Sequence, residues 1–264
     1  MKMLNKVPAV TLIFWIIKIM ATTVGETAAD FLSVTMNLGL TVTSFIMAGL
    51  LLIALVVQFK SKRYTPAIYW TVVVFISVMG TLISDNLVDN LGVSLTTTSI
   101  IFGSGLIIVF VAWYLSEKTL SVHTIYSTRR ELFYWAAILF TFALGTSAGD
   151  LIGESLGLGY PLSALMFGGT IAVIYLAYRY LNLNAVLAFW LAYILTRPLG
   201  ASLGDLLTQP HKAGGLGVST TIISSIFLVS IIILVIYLTF WREQDSAVES
   251  VEAESAGDRG INKN

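Results

Sequence analysis

A six-residue step recurs along this chain, and its clearest copy is Gly145-Thr146-Ser147-Ala148-Gly149-Asp150. Three further stretches align with it, at residues 21–26, 80–85 and 200–205. Each copy lies near the end of a long apolar run, where an ionised carboxylate is costly unless it meets water, a counter-charge or a cation. The recurrence predicts that one structural unit is present in four copies.

Two neighbouring features recur with the step. A tryptophan precedes the acid by fifteen residues in three copies, at Trp70, Trp135 and Trp190, and a Leu-Gly pair follows every copy and opens the next apolar run. Composition alone would not reproduce this agreement at several positions. We therefore expect four two-helix hairpins in succession, at about residues 8–60, 66–118, 130–180 and 185–240.

The composition is that of a membrane protein. Hydrophobic residues make up 56% of the chain and charged residues 11%, with a mean hydropathy of +0.86, far from the values of ordinary soluble domains. Four stretches without Asp, Glu, Lys or Arg are each long enough to cross about 30 Å of hydrocarbon as a helix; they are residues 31–59, 90–116, 155–178 and 213–241. The acidic steps interrupt the remaining apolar runs.

These patterns predict an all-α integral membrane protein with eight transmembrane helices, formed by four parallel two-helix repeats. The expected helices span residues 7–30, 39–58, 66–89, 93–115, 131–154, 160–180, 184–208 and 217–240. Residues 1–240 are expected to form a single transmembrane domain. Residues 241–264 are polar and acidic, which is typical of a disordered tail.

The basic residues between these helices indicate orientation. Those of the two termini and of alternate loops fall on one side, namely Lys2, Lys6, Lys60, Lys62, Arg63, Lys118, Arg129, Arg130, Arg179 and Arg242. The opposite loops hold only His211 and Lys212. Because basic loops stay in the cytoplasm, we expect a multi-pass protein of the bacterial inner membrane with both termini cytoplasmic, in contact with the lipid bilayer.

Acidic side chains four residues apart share one face of a helix. The candidate ion-binding residues are the pairs in successive odd helices, Glu26 and Asp30, Asp85 and Asp89, Asp150 and Glu154, and lastly Asp205 with Gln209. The same stripes carry supporting polar groups at Thr22, Thr81 and Thr146. Two bases, Lys18 and Arg197, are aligned with each other eight residues before Glu26 and Asp205, which predicts that these two acids are ion-paired or switch protons. The bases could pair with Glu26, Asp85, Asp150 or Asp205.

Seven acids against two bases leave an excess of negative charge. Carboxylates that lie close together in a poorly hydrated site cannot all ionise unaided, so some keep protons until a cation displaces them. This behaviour predicts a transporter of a hard cation, such as Mn²⁺, Mg²⁺ or a monovalent ion, that is coupled to protons. The leading metal ligands are Asp85, Asp89, Asp150 and Glu154, assisted by backbone carbonyls near Gly25, Gly149 and Gly204.

Other functions remain open at the level of sequence. The carboxylates could serve an intramembrane enzyme, form an ion-paired scaffold that transports nothing, or bind an organic cation if Tyr69, Tyr134, Tyr160 and Trp190 lined the cavity as a cage. A transporter is favoured over an enzyme because no nucleophile pattern is present, and the chain has no Cys and only two His. A formal charge of zero gives no reason to expect nucleic acid, and no cofactor is expected. The oligomeric state is left open.

The chain resembles a bacterial family of uncharacterised membrane-anchored proteins that is built from copies of a membrane repeat of unknown function. The resemblance covers about residues 8–240. The motifs that carry it are Thr22-Thr23-x-Gly25-Glu26-x3-Asp30, Gly145-Thr146-x2-Gly149-Asp150-x3-Glu154 and Arg197-Pro198-Leu199-Gly200-Ala201-x2-Gly204-Asp205. It implies a polytopic bacterial inner-membrane protein and says little about chemistry.

Overall fold

The structure is a computed structural model that describes residues 5–261, apart from the side chains of Glu154 and of residues 242–261. All regular elements within that range are helical, and the long ones are α1 (Leu12–Asp30), α2 (Leu40–Lys60), α3 (Pro66–Asp85), α4 (Leu95–Glu117), α5 (Thr128–Asp150), α6 (Tyr160–Tyr180), α7 (Ala185–Thr208) and α8 (Thr220–Ile261). Eight helices in this range are long and apolar enough to cross a membrane. The all-α fold and the predicted number of crossings are confirmed, whereas the disordered tail from residue 241 stays a prediction.

Local sequence explains where several helices begin. The side chains of Thr11, Ser94, Ser127 and Asn184 each accept a hydrogen bond from a backbone N–H in the first turn of the following helix, which satisfies a donor that the helix itself leaves unpaired. Gly39 and Gly159 precede α2 and α6 with φ of 74°. Glycine adopts this left-handed conformation without strain, so the chain can reverse direction there.

The odd-numbered helices form the centre of the molecule. Helices α1, α3, α5 and α7 pack in a closed ring in which each contacts the next and α7 contacts α1. In each central span 61% of the residues are buried, against 17%, 17%, 22% and 11% in the spans of α2, α4, α6 and α8. The even-numbered helices therefore surround the ring and present their apolar side chains to lipid.

The outer helices connect each hairpin to the next one. Helix α2 packs on α3, α4 on α5, α6 on α7, and α8 returns to α1. The second helix of every hairpin thus covers the first helix of the following hairpin. The last hairpin closes the cycle on the first.

Glycine permits the close approach of the central helices. A Cβ atom at Gly80 would lie 2.6 Å from Cβ of Phe142 on α5 and 3.0 Å from the backbone N of Ala143. Added Cβ atoms on the three other central helices would collide in the same way with the next helix of the ring, Gly25 with Ser77, Gly145 with Arg197, and Gly200 with Thr22. Each helix therefore uses one glycine to approach its neighbour.

These contacts correct the alignment of the first copy. Gly25, Gly80, Gly145 and Gly200 are equivalent by contact, and each precedes an aspartate by five residues, namely Asp30, Asp85, Asp150 and Asp205. Helices α1, α3 and α5 also end at these aspartates and continue into a π-helical turn of five residues. The alignment of Glu26 with the other three acids was wrong by one helical turn, because Glu26 and Asp30 lie four residues apart and either could match.

The corrected alignment assigns an aromatic pair to every copy. The pairs are Phe14-Trp15, Tyr69-Trp70, Tyr134-Trp135 and Phe189-Trp190, in which each tryptophan precedes the aligned aspartate by fifteen residues. Each tryptophan contacts the first aromatic residue of the copy before it, and Trp15 of the first copy contacts that of the fourth. The distances between ring centroids are 5.6 Å for Trp70 to Phe14, 5.5 Å for Trp135 to Tyr69, 6.3 Å for Trp190 to Tyr134 and 5.7 Å for Trp15 to Phe189. We call these eight residues the aromatic collar. It closes the end of the ring opposite the aspartates.

The glycine contacts predict a difference between two substitutions. Gly80→Ala should destabilise the protein by about 1–3 kcal/mol, because the added methyl group would overlap Phe142 across the α3–α5 interface. Gly169→Ala in α6 is the matched control, since a Cβ there has no atom within 4 Å. It should leave stability unchanged or raise it, because alanine favours a helix more than glycine.

Thermal unfolding of both variants in the same detergent checks this prediction. Equal melting temperatures for Gly80→Ala and Gly169→Ala would contradict the close approach of the central helices.

Candidate functional site

The acidic residues meet at one end of the central ring. A cavity of about 160 Å³ is lined there by Glu26, Asp30, Asp85, Asp89, Asp150, Asp205 and Gln209, together with Val88 and Leu95. We call this cavity the acidic vestibule. Six of the seven predicted acids line it, and the side chain of the seventh, Glu154, lies outside the described residues.

A larger cavity is less informative about function. Its volume is about 950 Å³, and it lies among α1, α6, α7 and residues 120–123. Its lining is apolar and aromatic apart from Thr11, Ser121, His123 and the tyrosines Tyr175 and Tyr178, without an Asp, Glu, Lys or Arg. Because this lining has no charged side chain, the acidic groups are concentrated in the acidic vestibule instead.

Side chains four residues apart form layers along the axis of the ring. The layer of Asp30, Asp85, Asp150 and Asp205 is followed by Glu26, Thr81, Thr146 and Ala201, then by Thr22, Ser77, Phe142 and Arg197, then by Lys18, Val73, Ile138 and Tyr193, and finally by Phe14, Tyr69, Tyr134 and Phe189 of the collar. We call this stack the axial column. Each of the four central helices contributes one side chain to every layer, but the four side chains within each inner layer differ in type.

Arg197 connects the four central helices. Its Nη2 atom lies 2.9 Å from Oε2 of Glu26 and 2.6 Å from Oγ1 of Thr146, and it also contacts the Thr81 hydroxyl. Its Nη1 atom donates to the Thr22 carbonyl at 3.4 Å. The guanidinium group is fully buried, while 9% of the Glu26 side chain remains exposed at the vestibule. The predicted ion pair with Glu26 is confirmed for Arg197.

The hydrogen bonds of this guanidinium group are unequally distributed. Nη2 carries only two hydrogens but has three oxygen partners, whereas the buried Nε atom has no partner among the described residues. One of the three contacts is therefore purely electrostatic. Such a group can exchange partners through a small rotation.

Lys18 occupies a different layer from Arg197, which corrects the prediction that the two bases are equivalent. Once the first copy is shifted by one turn, Lys18 lies one layer closer to the aromatic collar than Arg197. Its amine makes no ion pair among the described residues and contacts instead the ring faces of Phe142 and Tyr193. The predicted pairing of Lys18 with Glu26 was therefore wrong.

The central helices are continuous through the glycines next to the acids. Helices α1, α5 and α7 include Gly25, Gly149 and Gly204 without a break, so the backbone carbonyls predicted as ligands at these glycines remain within helices. The break occurs after the aspartate instead, at the π-helical turns of residues 31–35, 86–90 and 151–155. Sequence analysis missed these turns because their sequences, FLSVT, NLVDN and LIGES, share no common pattern.

The carboxylates whose side chains the structure describes do not form a preassembled metal centre. In the part of the chain with described side chains, no three Asp, Glu, His or Cys residues are close enough to hold a metal ion together. Asp85, Asp89 and Asp150 line the vestibule without meeting at one point. The assignment of these residues and Glu154 as metal ligands stays a prediction.

The fold and the axial column define a multi-pass membrane protein made of four repeated hairpins around an acidic vestibule. A family model described as a Repeat of Unknown Function (DUF347) matches the chain four times, over residues 13–64, 68–119, 133–182 and 188–244. These matches cover most of the chain, so it belongs to this repeat family, as the resemblance predicted. No curated protein and no solved structure matches it.

The family matches agree independently with the corrected alignment. They begin at residues 13, 68, 133 and 188, which are each seventeen residues before Asp30, Asp85, Asp150 and Asp205. The same spacing appears in the glycine contacts and in the aromatic pairs. The repeated elements of the unit are therefore its tryptophan, glycine and aspartate, and Glu26, Arg197 and Lys18 are departures from it.

The ion pair predicts a double-mutant result. Arg197→Met should reduce stability by about 3–5 kcal/mol, because it leaves Glu26 without its buried charge partner. Adding Glu26→Gln to Arg197→Met should recover a large part of this loss, since the amide beside Thr81 carries no charge that requires a partner. Denaturation of the single and double variants in detergent measures the coupling, and additive effects of the two substitutions would contradict it.

Proposed function

We propose that this protein transports a hard cation across the bacterial inner membrane in exchange for protons. The observation that carries the proposal is the acidic vestibule, in which six carboxyl groups line one small cavity at the end of the axial column. Glu26 is paired with Arg197, and the seven acids of the four stripes outnumber the two bases, Lys18 and Arg197. Such an excess of acids concentrates cations at the entrance.

The lining of the vestibule favours an inorganic cation. Its polar atoms are the oxygens of carboxylates and the amide of Gln209, which are hard ligands. A volume of about 160 Å³ admits a small ion with several waters, since one water needs only about 10–15 Å³. A hydrated ion of this kind does not require a preassembled set of protein ligands.

An organic cation is less well supported. Recognition by a cage would require aromatic faces around the carboxylates, but the described lining of the vestibule contains no aromatic side chain. Tyr69, Tyr134 and Trp190 belong to the aromatic collar at the opposite end of the column, and Tyr160 begins α6. The three collar residues contact one another instead of the vestibule, and Tyr160 is not among the residues that line it.

The two ends of the column suggest how a cation would be admitted. The vestibule is connected to the exterior, because Asp30, Asp85 and Asp150 are only partly buried, whereas the collar closes the other end with packed rings. We propose that the collar must open for release, and that the vestibule closes in the same step, as in alternating access. In this proposal the collar faces the cytoplasm and both termini are cytoplasmic, which the distribution of basic residues between the two sets of loops supports.

One other function has a specific observation in its favour. Arg197 contacts residues of α1, α3 and α5 at once, and a buried network of this kind could serve only to fix the packing of the ring. In this case the carboxylates at the vestibule would matter for stability and not for transport. An intramembrane enzyme has no comparable support.

Reconstitution into liposomes tests the proposal. Mn²⁺, Mg²⁺, Ca²⁺, Na⁺ or K⁺ is added outside, and cation uptake and internal pH are followed with separate dyes. We expect one or a few of these ions to enter and to drive protons in the opposite direction. Asp85→Asn should greatly reduce this uptake because it removes a carboxylate from the vestibule.

Matched variants separate transport from stability. Glu117→Gln removes a carboxylate that is paired with Arg130 outside the vestibule, so its uptake should equal that of the wild type. If Asp150→Asn and Asp85→Asn retained normal uptake while lowering the melting temperature, the residues would belong to a scaffold. The absence of uptake for every ion in the wild type would overturn the proposed transport.

A further inference from the structure

Lys18 lies deep in the axial column and is isolated from acids. Its side chain is completely buried, two helical turns from Glu26 on α1, or about 12 Å along the helix axis. The amine lies 4.0 Å from the ring centroid of Phe142 and 4.2 Å from that of Tyr193. All three of its possible N–H donors lack an acceptor among the described residues.

The helices around Lys18 provide no counter-charge. Helix α3 has no Asp, Glu, Lys or Arg before Asp85, α5 has none between residues 132 and 149, and α8 has none between residues 220 and 241. Helix α7 contributes Tyr193 and the guanidinium group of Arg197. The nearest charged side chain is thus of the same sign, and the carboxylate beyond it, Glu26, is already bound to Arg197.

This position contrasts with that of the other buried lysine. Lys6 is also almost completely buried, but its amine lies 2.7 Å from Oε2 of Glu131 and 3.1 Å from the carbonyl of Phe59. A charge on Lys6 is therefore fully compensated. Lys18 has only the faces of two aromatic rings, which favour its charged form weakly and accept no hydrogen bond.

We propose that the amine of Lys18 carries the proton that is exchanged for the cation. This inference rests on the proposed function and assigns its proton site to the inner part of the column, instead of to the vestibule carboxylates. The charged amine releases one proton and becomes a neutral amine, and it later takes up one proton again. A neutral amine suits this enclosure because it requires no counter-charge.

In this scheme Arg197 couples the binding of the cation to the release of the proton. A cation that binds Glu26 from the vestibule competes with the guanidinium group for the same carboxylate oxygen. The guanidinium group, with its charge no longer neutralised, then repels the Lys18 ammonium, which shares the ring of Phe142 with it. Lys18 releases its proton towards the vestibule, and takes up a proton from the collar side after the cation has left. One positive charge enters the column as one leaves, so the net charge of its interior is conserved for a monovalent cation.

The experiment compares a variant in the column with a variant outside it in the liposome assay. Lys18→Met replaces the amine by an apolar chain of similar length, and Lys60→Met makes the same change at an exposed position at the end of α2. Lys18→Arg keeps a charge that is not released. We expect Lys60→Met to resemble the wild type, and both Lys18 variants to lose cation-driven proton movement down to the level of empty liposomes.

The ratio of protons to cations distinguishes this role from a structural one. Lys18→Met should still admit the cation down its gradient, so proton movement is lost while cation uptake remains. If the methionine variant does not fold, Lys18→Arg is used instead, and its fixed charge should block both cation uptake and proton movement. A normal proton ratio in either folded variant would overturn the role of Lys18 alone, whereas a wild type without uptake would overturn the proposed transport and this inference together.

Discussion

The close approach of four helices at four glycines determines the rest of the structure. Because Gly25, Gly80, Gly145 and Gly200 lack side chains, each central helix can lie directly against the next. This contact fixes the rotation of every helix, and the rotation turns one stripe of each helix towards the common axis. The acidic vestibule, the axial column and the aromatic collar are successive levels of these stripes, so they share one origin in the packing at the glycines.

The backbone is repeated fourfold, whereas the side chains on the axis are not. Every copy supplies a tryptophan, a glycine and an aspartate at equivalent positions, and these form the collar, the contacts and the vestibule. Glu26, Lys18 and Arg197 each occur in only one copy, and they lie in the layers between the collar and the vestibule. A strictly symmetric column would place four like charges at each level, which would repel one another in a poorly hydrated interior. Asymmetry is therefore what allows a base and an acid to pair there.

Sequence predicted the architecture well because the features that determine it are local. Apolar length gave the eight crossings, and the repeated step gave the four hairpins and the common depth of the acids. The alignment of the first copy was predicted wrongly, because Glu26 and Asp30 each offered an acid to it. The spacing of Gly25 to Asp30 and of Trp15 to Asp30 was present in the sequence and would have resolved the choice. The contacts of Lys18 depend on packing between helices that are far apart in the sequence, so the residues next to Lys18 in the chain do not indicate them.

The cyclic arrangement of the outer helices has a consequence for how the chain is made. The first helix of each later hairpin is covered by the hairpin before it in the chain, whereas α1 is covered by α8 of the fourth hairpin. During synthesis α1 therefore lacks its contacts with α7 and α8, and Glu26 lacks Arg197, until the fourth hairpin has been inserted. Arg197 and the covering face of α8 are among the last parts to arrive. Native packing of the oldest segment thus depends on the youngest, and a ribosome that stopped after three hairpins would leave an open, charged seam in the membrane for quality control to detect.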